Sequence, residues 1–397
     1  MVVPVPVVLH KEDVKTLAHD VFEHIDSLSA PRLVEYWEQD PCWIPPPEEK
    51  GGRVYSAEAP SGRPTDDGAL GVKVEARFVV GEYEIVILSA NDSSGLDKWL
   101  RLNKYTIPAG AAEALAPYVR QQMKFFVAKV DIKKVQRDAQ GVVQLSPLRF
   151  SFESNELRLP VRLGLLNAQD KQDLIVYVLS PTSRFEAANY PNAFVPTNID
   201  VADEVRRSFP SFYAQLFDAT VGKMNGKAVV TEYAWQTTSC DPCPVPPLQA
   251  EDLVTLGANQ VKDAGGFASW VVTRMHTRYD KAALSEDLLF REAKPIEGGR
   301  GGWDGNNKND TGVHFLPSGG ENNFQARYII RHYWNKPVAC KNPRYNRWGG
   351  PPDGREPGPQ AAKGLAQAPR GAVKLPSVVN SAVPSLGLAG HPPPKRR

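Results

Sequence analysis

The sequence predicts an α+β fold, mainly antiparallel sheets with a few short helices, long loops and a disordered C-terminal tail. Strand-like segments follow one another between residues 124 and 179 at spacings too short for crossover helices. The chain contains 35 prolines and 31 glycines, which imply many turns and argue against a bundle of long helices. From residue 349 onward Pro, Gly, Ala and Ser dominate without a sustained apolar period, which predicts disorder.

The first region, residues 1–180, combines strands with short helices. The apolar run Val2 to Leu9 is interrupted by two prolines and is typical of an edge strand. Apolar residues between Val14 and Leu28 fall at helical spacing, so we expect an amphipathic helix from Lys11. Residues 48–71 are rich in turn formers and predict a long surface loop. The remaining predictions are a hairpin at 72–88, helices at 95–102 and 111–123, and strands at 124–132, 142–152, 157–166 and 174–179.

The second region, residues 181–348, begins with a loop and continues with a helix that opens at Ser208, where Pro210 occupies the first turn. Strands are predicted at 229–235, 269–279, 287–290 and 324–334. We expect the two regions to be closely packed α+β units and residues 349–397 to lack stable structure. Because chains rarely begin inside a strand, we also expect the natural start to lie upstream of Met1.

Charge and hydropathy limit the classes of partner. Forty-seven basic and 45 acidic side chains leave a formal charge of +2, so no overall field attracts nucleic acid, and none is predicted as a partner. No segment approaches the roughly 18 to 20 continuous apolar residues of a transmembrane helix. The first residues lack a basic n-region and a cleavage site, so the chain as given shows no signal peptide.

Several stretches resemble an uncharacterised bacterial family, domain of unknown function 2330. They are spread over nearly all of residues 1–350 and read VVPVP, LAPYVRQQMKFFVAKV, PVRLGLL, TSCDPCP, VVTRMHTRYDKAALSEDLLFREAKPIEGGR and ARYIIRHYW. The resemblance implies an exported protein, periplasmic or secreted, and carries over no catalytic residue. The family pattern places an export signal and a cysteine-containing segment before VVPVP. This chain has neither, which agrees with a start upstream of Met1.

Four cysteines leave three interpretations open: a redox pair, a zinc site or disulfides. The candidates are Cys42, Cys240, Cys243 and Cys340. A thioredoxin-like redox pair needs its first cysteine at a helix N-terminus, and Pro244, Pro246 and Pro247 stand where that helix would run. Zinc needs four ligands, and only one close cysteine pair exists, so His276, His314 or His332 would have to contribute. Disulfides are favoured in a loop-rich chain that resembles exported proteins, with three connectivities open.

A basic strand supplies the candidate ligand site. Arg274, His276 and Arg278 alternate along one predicted strand and therefore share a face, which could bind an anion through bidentate arginines. Arg327 and Arg331 would extend this face into a basic ladder if their strand is a neighbour. The competing interpretation is an exposed sheet face whose charges are balanced by Asp and Glu of adjacent strands, and it is favoured.

No cofactor is predicted, although calcium remains an alternative at the polar loop 298–323. Lys308 and Phe315 break the EF-hand pattern there, which favours a solvated loop. Its oxygen-bearing candidates are Asp304, Asn306, Asn307, Asn309 and Asp310. The sequence contains no Gly-x-Ser-x-Gly, His-Glu-x-x-His or Walker motif.

Two functions follow from these patterns. The favoured one is a non-enzymatic exported bacterial module, braced by disulfides, that binds a protein partner or an envelope component. The alternative is a hydrolase or other enzyme with its site near Arg274, His276 and the loop 298–323.

Overall fold

A computed structural model of the 397-residue chain describes residues 1–42, 72–137, 141, 143–166, 168, 170–240, 242–262, 264–267, 270–296, 322–355, 358–362 and 368–391. Most strand pairings within these ranges are antiparallel, and the helices are short, which confirms the predicted α+β fold. The surface loop predicted at 48–71 and the calcium candidates, Asp304 to Asp310, lie outside the described residues. In the described ranges, each helix is too short or too polar to cross a bilayer.

The N-terminal sheet is antiparallel and is buried on both faces. Its strands, in spatial order, are β1 (Val2–Val5), β6 (Lys124–Val130), β5 (Tyr83–Ala90) and β4 (Val72–Val80). Side chains alternate across a strand, so Phe125 and Val127 pack on one face, against helices α2 (Ser93–Leu102) and α3 (Ala111–Arg120). Phe126 and Ala128 pack on the other face, toward the ribbon of β2 (Val14–Thr16) and β9 (Leu148–Phe150).

The central sheet carries the candidate ligand strand. Its strands are β11 (Gln172–Ser180), β16 (Val271–Tyr279), β15 (Val229–Gln236) and β13 (Asn192–Phe194), with β18 (Asn323–Gln325) also paired to β15. The predicted strands at 229–235 and 269–279 are therefore confirmed. A smaller sheet of β10 (Leu157–Leu159), β17 (Leu288–Ala293) and β12 (Arg184–Ala187) packs beside it through a shared apolar cluster. A two-stranded ribbon joins β7 (Gln136–Arg137) to β8 (Val143–Gln144).

A third sheet contains parallel pairs. Its strands are β14 (Ile199–Asp200), β19 (Arg327–His332), β3 (Arg32–Glu38), β20 (Trp348–Gly349) and β21 (Gln360–Ala361). Helix α4 (Phe209–Gly222) follows Ser208 as predicted, and its apolar residues fill the core between this sheet and the central one. Helices α1 (Asp20–Ser29) and α5 (Ala250–Leu256) contribute to a cluster on the central sheet.

The helix predicted from Lys11 is wrong over its first half. Only three residues, Lys11–Asp13, form a 3-10 turn, and α1 begins at Asp20. Val14 and its neighbours form β2, because pairing with β9 satisfies their backbone groups and buries Val14 beside Phe150. Tertiary pairing has overridden a helical period that the sequence carries locally.

The prediction of a structureless tail is wrong for residues 368–391. Leu375 and Val378 lie in α6 (Leu375–Val378) and are buried with Val379 in the core beside α4. Val379 bridges Val201, which precedes that helix. The apolar residues here follow no period because they fill irregular gaps in an existing core, which composition does not reveal. The tail residues 356–357, 363–367 and 392–397 lie outside the described part of the chain.

Strands from both sides of residue 180 share sheets. β11 pairs with β16, and β3 pairs with β19 in a parallel register. The division into two units near residue 180 remains a prediction. Each of two units divided there would contribute strands to the same sheets.

Candidate functional site

A buried carboxylate, Glu232, organises the charged centre of the molecule. The pairing of β15 with β16 shifts register between Thr231 and Tyr233, so Glu232 is the extra residue of a β-bulge. Its carbonyl accepts a hydrogen bond from the amide of Ala326, 2.8 Å away, at the junction of β18 and β19. The bulge directs the Glu232 side chain toward Arg274, and Glu232 is fully buried.

Glu232 binds two of the three predicted site residues. Arg274 Nε donates to Glu232 Oε2 over 2.7 Å, and His276 Nδ1 lies 2.8 Å from Glu232 Oε1. The hydroxyl of Tyr213 on α4 donates to the same Oε1 over 2.7 Å. Arg274 and His276 are each only 1% exposed, so these contacts are shielded from solvent.

The network continues outward on both sides. His276 Nε2 lies 2.9 Å from Asp173 Oδ1, and Arg278 Nη1 donates to Asp173 Oδ2 over 2.7 Å. Arg274 Nη1 donates to Asp26 Oδ1 over 2.6 Å and also contacts the Tyr177 hydroxyl at 2.9 Å. Three carboxylates therefore meet two arginines and a histidine whose two ring nitrogens both face carboxylates.

These contacts shift the pKa values in opposite directions. Burial raises the pKa of the Glu232 carboxyl, but the charges of His276 and Arg274 outweigh it and lower the pKa to about 2. Burial likewise lowers the pKa of His276, yet Glu232 and Asp173 raise it above the usual value for histidine. An imidazolium can donate from both nitrogens, so this surrounding favours the charged ring.

In the structure the predicted anion-binding face holds carboxylates of its own chain. Arg274 and Arg278 pair with Asp and Glu from other elements, as the competing interpretation expects, although the face is largely buried rather than exposed. The basic ladder is wrong, because β16 and β19 belong to different sheets. Arg327 binds Asn198, and Arg331 binds Asp200 over 2.8 Å. Binding of an external anion, and an enzyme site near His276, stay predictions.

All four cysteines form disulfides, as favoured. Cys42 bonds to Cys340 across a sequence separation of 298, and Cys240 bonds to Cys243 across a separation of 3. A zinc site needs cysteine thiolates as ligands, and the sulfurs of all four cysteines are instead bonded in disulfides. Of its histidines, His332 binds Glu35 at 2.7 Å and His314 lies outside the described residues. No cluster of three metal-ligating side chains occurs in the described part of the chain.

An open apolar groove is the second candidate site, and the sequence did not predict it. It has a volume of about 880 Å³ and lies between β1 and the segment that includes β9 and β10. Hydrocarbon side chains such as Val3, Phe150 and Phe152 line it, and Glu156 and Arg158 provide polar groups. Its volume is within the range of roughly 300–1,000 Å³ typical of ligand sites.

Some site residues left a signal in the sequence and others did not. Glu232 is the one charged residue within VVTEYAW, and a lone carboxylate in an otherwise apolar strand indicates a buried ion pair. Phe150 and Phe152 are the two aromatic residues of PLRFSF, and Phe150 ends the short strand β9. Asp26 and Asp173 carried no such signal, because each stands beside another polar residue, Ser27 and Gln172 respectively, as surface carboxylates commonly do.

The fold and these sites define a disulfide-braced α+β protein with a buried ion-pair network and an open apolar groove. Residues 1–291 match the model of the family described as uncharacterized protein conserved in bacteria, domain of unknown function 2330. The chain belongs to this family. No curated protein and no solved structure matches it significantly.

Proposed function

We propose that the protein is a non-enzymatic binding module that works outside the cytoplasm and holds the acyl chain of an envelope amphiphile in its apolar groove. The observation that carries this proposal is the groove itself, about 880 Å³ of mostly hydrocarbon-lined space whose apolar surface a hydrocarbon chain would remove from water. Open apolar surfaces of this kind mark interaction sites.

An acyl chain fits the groove better than a peptide does. A peptide brings backbone N–H and C=O groups that need hydrogen-bond partners, and a hydrocarbon lining supplies few. Strand addition to β1 is also disfavoured. Met1 and Ala128 exchange both backbone hydrogen bonds, at 2.8 and 3.0 Å, so Pro4, three residues on, occupies an outward-facing position of the ladder. Proline has no N–H to offer a further strand there.

The polar groups of the groove favour an anionic head group. The Arg158 guanidinium lies 2.8 Å from the Glu156 carboxylate, which is largely exposed. A carboxylate or phosphate on the amphiphile would replace Glu156 as the partner of Arg158, while its chain occupies the apolar part. Most of the affinity comes from the chain, because an exposed ion pair contributes little.

Substitution of Phe152 with glutamate should weaken binding of a fluorescent C18 fatty acid at least about tenfold, since it places a charge in the apolar lining. Phe152 is 39% exposed, so the fold should tolerate the change. Phe22, which is 38% exposed and does not line the groove, provides the matched control F22E. The readout is a fluorescence titration of the wild-type protein and both variants.

The control should bind within about twofold of wild type, because Phe22 does not line the groove. Absence of saturable binding to the wild type, or equal loss in F152E and F22E, would exclude the groove as an acyl-chain site. A fatty alcohol of the same length separates the contribution of Arg158 from that of the chain.

The location outside the cytoplasm is supported by the two disulfides, because such bonds persist in oxidising compartments. We expect osmotic-shock fractionation of the native bacterium, followed by immunoblotting, to recover the protein in the periplasmic or secreted fraction. Acid quenching and alkylation should then show Cys42 and Cys340 to be oxidised. Recovery in the cytosol with alkylated cysteines is the opposite result and would refute the location.

A further inference from the structure

The Cys240–Cys243 disulfide lies in a proline-rich loop whose two ends are held together independently of the sulfurs. The amide of Leu248 donates to the carbonyl of Thr237 over 3.1 Å, and the amide of Thr237 donates to the carbonyl of Trp270 over 2.8 Å. Opening the disulfide leaves these bonds in place. Both thiols would therefore stay close together and could reoxidise.

The two disulfides of the chain differ in span and exposure. Cys240–Cys243 closes a separation of 3 residues, so it restricts the unfolded chain far less than Cys42–Cys340, whose separation is 298. Cys243 is exposed, whereas Cys240 is half-buried against an apolar cluster. An incoming thiolate therefore reaches the sulfur of Cys243, and exposed disulfides are the labile ones.

A buried cation lies beneath this loop. The Arg32 side chain is fully buried, and its Nη1 donates over 2.6 Å to the carbonyl of Pro242, the residue before Cys243. Arg32 therefore anchors the backbone between the two cysteines, which keeps the two sulfurs near each other when the disulfide opens.

We propose that Cys240–Cys243 is a thiol–disulfide exchange site that accepts two electrons from a protein dithiol. A thiolate of the donor attacks the sulfur of Cys243, the disulfide breaks, and the electron pair leaves on the sulfur of Cys240. The second thiolate of the donor then attacks the mixed disulfide and releases Cys243. The donor becomes a disulfide, and its two thiol protons end on Cys240 and Cys243.

The test uses the oxidised full-length protein with dithiothreitol as the dithiol, in native buffer. Timed alkylation and peptide mass spectrometry follow each disulfide separately, so Cys42–Cys340 serves as the internal control. Cys240–Cys243 should be reduced at least tenfold faster. After removal of the reductant, an oxidised glutathione buffer should restore the bond.

Single variants identify the attacked sulfur. With C240S, the free Cys243 should react quickly with a chromogenic aryl disulfide, and with C243S, the half-buried Cys240 should react several-fold more slowly. Equal reduction rates for the two disulfides would overturn the proposal. So would loss of the folded circular dichroism spectrum when only Cys240–Cys243 is reduced, because the bond would then brace the fold. The groove plays no part in these measurements, so their failure leaves the proposed function untouched.

Discussion

Replacement of Glu232 with glutamine should lower the free energy of unfolding by about 3–5 kcal/mol, the effect of removing one partner from a buried ion pair. The variant keeps the shape of the side chain but leaves Arg274 and His276 buried beside a neutral amide. Glu84, an exposed glutamate on the strand β5, provides the control E84Q, which should change the free energy by less than about 0.5 kcal/mol. Urea denaturation at neutral pH measures both.

The acid dependence of stability should separate the same two variants. The folded pKa of Glu232, about 2, is below its ordinary value of 4.5, so ionised Glu232 contributes stability above pH 4.5 that is lost as the pH falls toward 2. Wild type and E84Q should lose this contribution, about 3 kcal/mol, and E232Q should not. An identical acid slope in all three would mean that Glu232 does not titrate in this environment.

Loss of the proton from His276 should lower the stability of the fold as the pH rises above 6.5. Its pKa is raised from 6.5, so charged His276 contributes stability that is fully present below pH 6.5 and is lost as the pH rises through the folded value. The groups in contact with its ring are Glu232, Asp173 and the ring of Phe217, whose centroid lies 4.1 Å away. The network is therefore most stable in mildly acidic solution.

Removal of the Cys42–Cys340 disulfide in a C42A/C340A variant should lower the free energy of unfolding by about 2–5 kcal/mol. The bond closes about three quarters of the chain, with a sequence separation of 298, and therefore restricts the unfolded ensemble strongly. The strands β3 and β19 are parallel neighbours. The bond joins Cys42, which follows β3, to Cys340, which follows β19. The measurement is the denaturation midpoint in urea without reductant.

The matched comparison is C240A/C243A, which opens a loop closed over a separation of only 3 residues. The free energy of unfolding of this variant should fall by less than about 2 kcal/mol, because the entropic cost of closing a loop is smaller for a short loop than for a long one. A larger loss in C240A/C243A than in C42A/C340A would reverse the assigned roles, making the short bond the structural brace.

The sequence by itself determined the fold class and much of the local structure. The strands predicted at 229–235 and 269–279 correspond to β15 and β16, and the proline and glycine content argued against long helices. The shared face of Arg274, His276 and Arg278 followed from strand alternation, and the cysteine content in a loop-rich chain favoured disulfides. These features depend on neighbours a few residues apart, where sequence and geometry are directly linked.

Only the tertiary structure decided which distant residues meet. The bulge at Glu232 directs a carboxylate toward Arg274, and the pairing of Cys42 with Cys340 selects one connectivity of three. Val379 is buried because the core beside α4 has a gap that it fills, although its surroundings in sequence are typical of disorder. Contacts of this kind are set by the free energy of filling space and neutralising buried charge across the whole fold, which local periodicity does not encode.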